Sequence, residues 1–534
     1  MNAREGGDSP HATNEPEALV APAAGKFMRW LSEPLSGVGC VIGWVAATLL
    51  FLGIVTQLGG PVVGDASQTF YSTWSVEHGR LACMYAPLVQ VPTSPLFTAF
   101  VLAAPLYSLL TGAAAALLRI GHGVAFPASA SLGAHCSSAY LAYYHWAVAS
   151  HALMATLRLS YLVWPFLLAS VVALLRSVGR GHSRLEFASA ILLALLMPVY
   201  MCIVGSFHPQ DVLAMAFLIL AAAAVRAHRW VAAGVAVGLA IATQQYSLLV
   251  LALLLAMVIR TPARWRFIIG AASTLMVVMV PLLIASNGRA LDALVFGSSR
   301  ITFLSGQTVH SSGGTVLWEL HLHGLALFAL SRALPIVLAG GLGWWATGVL
   351  GADVFAAAPL LSLTAVSLAL RLVFEQNLFG YYFMALSVAL VVLDLGRGRL
   401  RGSVVAWLVV VSLTFNPLPE TVYLRYLTYG INLYLLMPLL AVIAALASVM
   451  YDAFRHRVRW YLVATIAIIT ATDFPTLYGY GYGIHPFPQW IWQVLFVPTA
   501  LALALEPLAA AITGQPGLRH LLPHSRPLVR SRTR

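Results

Sequence analysis

Apolar runs near 20 residues long recur along most of the chain, broken by short polar turns. About 20 residues at a rise of 1.5 Å match the thickness of a bilayer core, so the runs predict membrane-crossing helices. A transmembrane barrel would show ~10-residue segments of alternating polarity instead, and these are absent. The runs pair into hairpins. Runs near 187–206 and 212–226 turn at Ser206-Phe207-His208-Pro209-Gln210-Asp211. Runs near 230–243 and 247–259 turn at Gln244-Gln245-Tyr246; both are short, so a bent helix with a re-entrant piece is the alternative. Two more hairpins join 403–416 to 431–450 and 459–473 to 488–506. Between 267 and 395 four crossings are expected, with a large external loop at 287–324. No solenoid period is visible.

The expected fold is all-α, a polytopic transmembrane helix bundle of about 12–14 crossings. Pro95 to Ile120 is also long and apolar enough to span. If it spans, Arg176 falls outside unless a further crossing lies near 138–158. The preferred reading places it in the membrane surface, or re-entering at Pro105, within a long first external segment of residues 58–159.

Composition agrees. The 534 residues are 60% hydrophobic and 9% charged, against about 25% charged in soluble domains. Mean hydropathy is +0.85. The net charge of +12 comes from arginines between apolar runs, with Lys26 the single lysine. That placement reports topology, because cytoplasmic loops collect basic residues. No basic face interleaved with aromatics appears, so no nucleic-acid partner is expected. The expected cytoplasmic clusters include Arg176/Arg180/Arg184, Arg226/Arg229, Arg260/Arg264/Arg266, Arg397/Arg399/Arg401 and Arg455/Arg457/Arg459. The chain then reads as a multi-pass cell-membrane protein with both termini cytoplasmic. Residues 1–30 form a disordered tail, 31–510 the transmembrane domain and 511–534 a basic tail. The apolar run from Val38 lacks the charged-then-apolar order of a cleaved signal and is expected to stay as an anchor.

This topology sends unusual polar residues to one membrane face. They are Asp65, Glu77, His78 and Arg80; His208 and Asp211; Gln244 and Gln245; Arg300, His310, His321 and His323; and Arg371, Glu375, Gln376, Tyr381 and Tyr382. Charge beside a span is costly and therefore functional or buried in a cavity. Several loops over a rigid helical scaffold predict a shared site. Each residue also has a structural reading. Asp211 and Asp65 are placed to cap helices. Glu375, four residues after Arg371, predicts a helical ion pair. Tyr381-Tyr382, and the series Tyr478, Tyr480, Tyr482 and Trp490, also fit an interfacial belt. The histidines lack the companions of a metal motif, so no metal or other cofactor is expected. Cys83 and Cys136 share the first external segment and are candidates for a disulfide. No phosphate-binding Gly-rich loop or nucleophile-elbow motif is present.

The stretch "GDASQTFYSTWSVEHGRLACMYAP" resembles the opening pattern of the GT-C superfamily of membrane glycosyltransferases: an acid after the first span, then an aromatic, a His-Gly-Arg turn and a Tyr-Pro-like motif. Here the last motif is Tyr85-Ala86-Pro87, a departure from the pattern. "FHPQDVLAMAF" is similar to a His-Pro-Glu/Gln-Asp turn in an actinobacterial mannosyl- and arabinosyltransferase-like branch. "AGVAVGLAIATQQYSLLVL" and "RLVFEQNLFGYYF" resemble later blocks.

The resemblance implies a polyprenyl-phosphate sugar donor, a glycolipid or cell-envelope glycan acceptor, and reaction at the external face. It implies Asp65 as general base, Arg300, Arg371 and His310 as phosphate ligands, and His208, Asp211, Gln244, Gln245, Glu375, Tyr381 and Tyr382 as sugar or acceptor ligands. The alternative class is a transporter or flippase of a lipid-linked sugar, which predicts a polar track through the bilayer middle. A third is a non-catalytic scaffold that keeps a degenerate site.

Overall fold

The computed structural model describes residues 30–31, 33–57, 63–85, 104–120, 136, 158–205, 207–291, 294, 315–320, 324–375, 378, 380–398, 400–414 and 489–514. The sequence expectations for the terminal tails, for the loop around 300–314 and for the runs between 415 and 488 lie outside them.

The principal helices are α1 (Gly37–Gln57), α2 (Val63–Glu77), α3 (Leu106–Leu118), α4 (Val163–Ser177), α5 (Arg184–Ala194), α6 (Pro209–Arg226), α7 (Trp230–Thr243), α8 (Ser247–Val258), α9 (Arg264–Ala285), α10 (Leu334–Leu350), α11 (Ala357–Val373), α12 (Phe383–Gly396), α13 (Gly402–Thr414) and α14 (Gln489–Thr513). Among the described residues the only β feature is an isolated bridge between Pro34 and Ser183. Six stretches are long and apolar enough to cross a membrane: Gly37–Thr56, Arg158–Ser177, Pro209–Arg226, Arg264–Ala285, Ala326–Phe355 and Gln493–Thr513. A seventh arises if Arg184–Ala194 and Met197–Val204, bent by 53°, count as one. By length and composition this is a helical membrane bundle. Apolar side chains such as Val41 and Leu49 on α1, and Val277 and Ile284 on α9, face outward, as lipid contact requires.

The described spans are fewer than 12–14, and five further apolar helices are shorter, α3, α7, α8 and α11 among them. The two short runs around Gln244 are two separate helices, α7 and α8, with Gln244–Tyr246 as the turn. Within Pro95–Ile120 the described helix is α3, which begins after Pro105. Its 13 residues rise about 20 Å, short of a bilayer core.

Close helix approach depends on small residues. Gly234 and Gly238 of α7 form a G-x-x-x-G face against α9. A Cβ at Gly234 would collide with the Phe267 carbonyl, and one at Gly238 would stand 2.9 Å from the Ala271 carbonyl. Elsewhere aromatic stacking fills the core. Phe51 of α1 lies on Trp164 of α4 at 4.8 Å and on Tyr200 at 5.2 Å.

The arginine-bearing turns gather at one end of the helices. Arg226 donates to the Phe355 carbonyl at 2.8 Å, and Arg260 covers the Trp344 ring at 3.5 Å. The guanidinium of Arg180 lies against Gly398. There Arg401 is buried in a bond to Asp394 (Nε–Oδ1 2.7 Å) and donates Nη1 to Glu506 at 2.8 Å, tying α12 and α14 to the start of α13. The helices lead from this end to the opposite one, where the other polar residues meet.

Candidate functional site

The chain enters the site through an irregular connection. The π-helical turn Met201–Gly205 leads to Phe207, whose φ of +52° is uncommon for a bulky residue. The His208 N–H closes this turn on the Cys202 carbonyl at 2.5 Å. Pro209 then opens α6, where a residue without an N–H is tolerated. Such π-turns and left-handed residues gather at functional sites.

His208, not Asp211, is the N-cap residue of α6. Asp211 sits within the first turn, and its buried carboxylate receives the Gln244 side-chain amide. The other end of that amide accepts the Gln245 N–H at 3.0 Å, so Gln244 is oriented at both ends. Tyr246 donates its hydroxyl to the Asp211 carbonyl oxygen at 2.8 Å. Burial first, and the Asp211 charge second, push the Tyr246 phenol well above its usual range, so it remains a donor. The α6 and α7–α8 turns are thereby joined by side chains.

The α11–α12 turn completes the cluster. The His208 ring stacks on Tyr381, centroids 4.0 Å apart and planes 11° apart. The Gln210 amide donates to His208 Nδ1 at 3.1 Å. Arg371, at the end of α11, lies between the rings of Tyr246 and Tyr382, at 4.8 and 4.3 Å. Such stacking suits a planar, weakly hydrated guanidinium. Its Nε reaches Glu375 Oε2 at 3.5 Å, across the i,i+4 spacing. Its Nη1 is buried and has no hydrogen-bond partner among the described residues.

Three contributors were not legible as site residues. Arg332, in the π-helical turn Ala329–Ala333, also reaches Glu375 Oε2 at 3.5 Å. A lone arginine inside an apolar run was the available signal. Gln493 of α14 donates to the carbonyls of Leu372 and Glu375 at 2.8 and 3.3 Å and accepts the Val316 N–H at 2.9 Å. Gln210 is buried beside His208.

Thus His208, Asp211, Gln244, Arg371, Glu375, Tyr381 and Tyr382 are brought together, with Gln245 contributing its backbone. Asp65 falls inside the first turn of α2, so it does not precede the helix as a cap; its side chain lies outside the described residues. Arg300, His310, His321, His323 and Gln376 also lie outside them. Five residues after Asp65, Phe70 packs on Phe207 at 5.2 Å, which sets α2 beside the His208 turn. Downstream, Cys83 and Cys136 form a disulfide with Cα atoms 5.3 Å apart, and Tyr71 donates to the Cys136 carbonyl at 2.8 Å. Glu77, His78 and Arg80 close α2; His78 Nδ1 lies 3.0 Å from the Trp74 carbonyl. Among the described residues no group of three metal-ligating side chains occurs.

No protein-family model matches the chain, and no curated protein matches it in sequence. The cluster's own chemistry is what bears on function. It offers a guanidinium for an anion, carboxylate and amide groups for hydroxyls, and tyrosine rings for a sugar face.

Proposed function

We propose that the chain is a glycosyltransferase. It moves a sugar, mannose or arabinose, from a polyprenyl-phosphate donor to a glycolipid or cell-envelope glycan. The observation that carries this reading is the aromatic clamp on Arg371, with a buried Nη1 donor free of partners among the described residues and two buried carboxylates nearby. This cluster stands at the helix ends away from the arginine-bearing turns. By the charge rule that end is external.

In this reading Arg371 holds the donor phosphate while the isoprenoid lies among the helices. Asp211, oriented by Gln244, and His208, held on Tyr381, bind sugar or acceptor hydroxyls. The acceptor oxygen attacks the anomeric carbon, the bond to phosphate breaks, and the configuration inverts. Asp65 takes the acceptor proton; position matters here more than a matched pKa. One essential carboxylate distinguishes this chemistry from the paired acids of glycoside hydrolases.

The transporter reading is less well supported. Among the described residues most charged side chains lie near helix ends, with Arg332 and Glu506 further in. A small void between α6, α11 and α12 is lined by Met215, Leu218, Ile219, Ala222, Leu361, Thr364, Ala389 and Val392, almost entirely apolar.

The test is sugar transfer by the purified protein from a panel of polyprenyl-phosphate sugars to a membrane glycolipid extract, beside Asp65→Asn. Transfer that is lost in a folded Asp65→Asn protein supports both enzyme and base. Transfer that survives removes Asp65 from its role. Tight donor binding with no transfer from any donor moves the reading to transport.

A further inference from the structure

The arginines at the end opposite the site fall into two kinds. In the α4–α5 turn, Arg176 pairs with the buried Glu186 at 3.2 Å and Arg184 with Glu33 at 2.6 Å. Arg180, between them, makes no ion pair among the described residues. In the α12–α13 turn, Arg401 takes both Asp394, at 2.7 Å, and Glu506, at 2.8 Å. Arg397 makes no ion pair among the described residues, and its Nη1 is buried there without a hydrogen-bond partner.

The two arginines left over come to one place. The Arg180 guanidinium lies over Gly398, the residue after Arg397. A Cβ built on Gly398 would stand 2.8 Å from Arg180 Cζ and 3.1 Å from its Nη1. Gly398 also has a φ of +67°, so two separate requirements favour glycine there. Both backbones are fixed. The Arg180 N–H closes α4 on the Leu175 carbonyl at 2.7 Å, and the Ser183 hydroxyl donates to the Arg180 carbonyl at 2.8 Å. The Arg397 N–H reaches the Asp394 carbonyl at 3.1 Å, and the Gly398 N–H reaches the Leu395 carbonyl at 2.8 Å. Two guanidiniums brought to neighbouring positions with no carboxylate between them repel each other unless an anion joins them. Their fork of donors matches a phosphate.

The depth of these turns says which phosphate. Arg176 lies over the Trp44 ring at 5.4 Å and Arg184 over the Trp30 ring at 4.8 Å. Such amphipathic rings favour the headgroup level of a bilayer. By the charge rule this end faces the cytoplasmic leaflet, which carries the anionic phospholipids. We propose that Arg180 and Arg397 form a seat for the phosphodiester of an anionic phospholipid, which ties the α4–α5 turn to the α12–α13 turn. The event is binding alone, with no covalent step. It is independent of the transferase reading, since the seat stands at the other end of the helices from Arg371.

The test titrates full-length protein in neutral detergent with dioctanoyl phosphatidylglycerol and counts bound lipid by native mass spectrometry. Arg180→Gln and Arg397→Gln should each raise Kd roughly fivefold to tenfold. Gly398→Ala should do the same by moving Arg180 without removing its charge. Arg229→Gln, an exposed arginine at the same end, should leave Kd unchanged. Arg180 is only half-buried, so its glutamine variant decides the matter if the other two do not fold. An unchanged Kd in Arg180→Gln overturns the proposal. An equal loss in Arg229→Gln also overturns it, by showing a diffuse effect of charge. Equal binding of dioctanoyl phosphatidylcholine would show that no anion is selected and would have the same consequence. Displacement of the lipid by inorganic phosphate at equal concentration would assign the seat to the ion and overturn the lipid.

Discussion

Arg371 illustrates how much one side chain decides. Its charge alone is available to a lysine, but its planar stacking between Tyr246 and Tyr382 is not. Arg371→Lys should retain the fold and lower sugar-transfer turnover by about 10²–10³-fold, the scale of losing an oriented charge donor; single-turnover kinetics would check it. Tyr246→Phe removes one buried donor from the Asp211 carbonyl. It should cost about 0.5–1.5 kcal/mol, read as a shift in denaturation midpoint. At this scale sequence was informative for residues in turns, because polar groups beside apolar runs stand out. It misassigned Asp211 as a possible cap. The cap position was decided by where Pro209 starts α6. Arg332 and Gln493 were missed because they sit within apolar helices, and only packing shows what they reach.

Helices in a bundle are positioned by what lets them approach and by what ties their ends. The α7–α9 contact depends on glycines that admit the facing backbone. Gly234→Leu should destabilise the protein by about 1–3 kcal/mol through overpacking, or more if the helices separate. Thermal unfolding in detergent would measure it. At the arginine-rich end, Arg401→Leu takes the guanidinium away from the fully buried Asp394 carboxylate and leaves it the backbone N–H of residue 401. The expected cost is about 3–5 kcal/mol, the largest loss among these variants; restoration by the double change Arg401→Leu with Asp394→Leu would separate the charge effect from packing. The hairpins around His208 and Gln244 were legible because apolar runs and polar turns alternate there. Their π-helical and left-handed features were not, since no local residue pattern demands them.

The whole molecule has two polar ends with different chemistry. Arginine-bearing turns occupy one; the clustered acids, amides, tyrosines and Arg371 occupy the other. Single cysteines introduced at Arg229 and Glu319, both exposed, should therefore label from opposite sides of a membrane. Glu319 belongs to the site end, since the helix it closes is tied through Val316 to Gln493. With an impermeant maleimide on intact cells, Glu319→Cys should react directly and Arg229→Cys only after permeabilisation. The reverse pattern would place the site in the cytoplasm.

The sequence by itself determined that the chain builds apolar helices. Run length and low charge leave few other structures able to satisfy the backbone in lipid. It also determined which turns carry polar groups, because those groups are expensive anywhere else. Tertiary structure decided which turns meet. Asp211 and Gln244 are 33 residues apart in sequence and Arg332 and Glu375 are 43 apart, and no local preference relates them. Their contacts follow from how closely the helices pack and where each one ends, which are properties of the bundle as a whole.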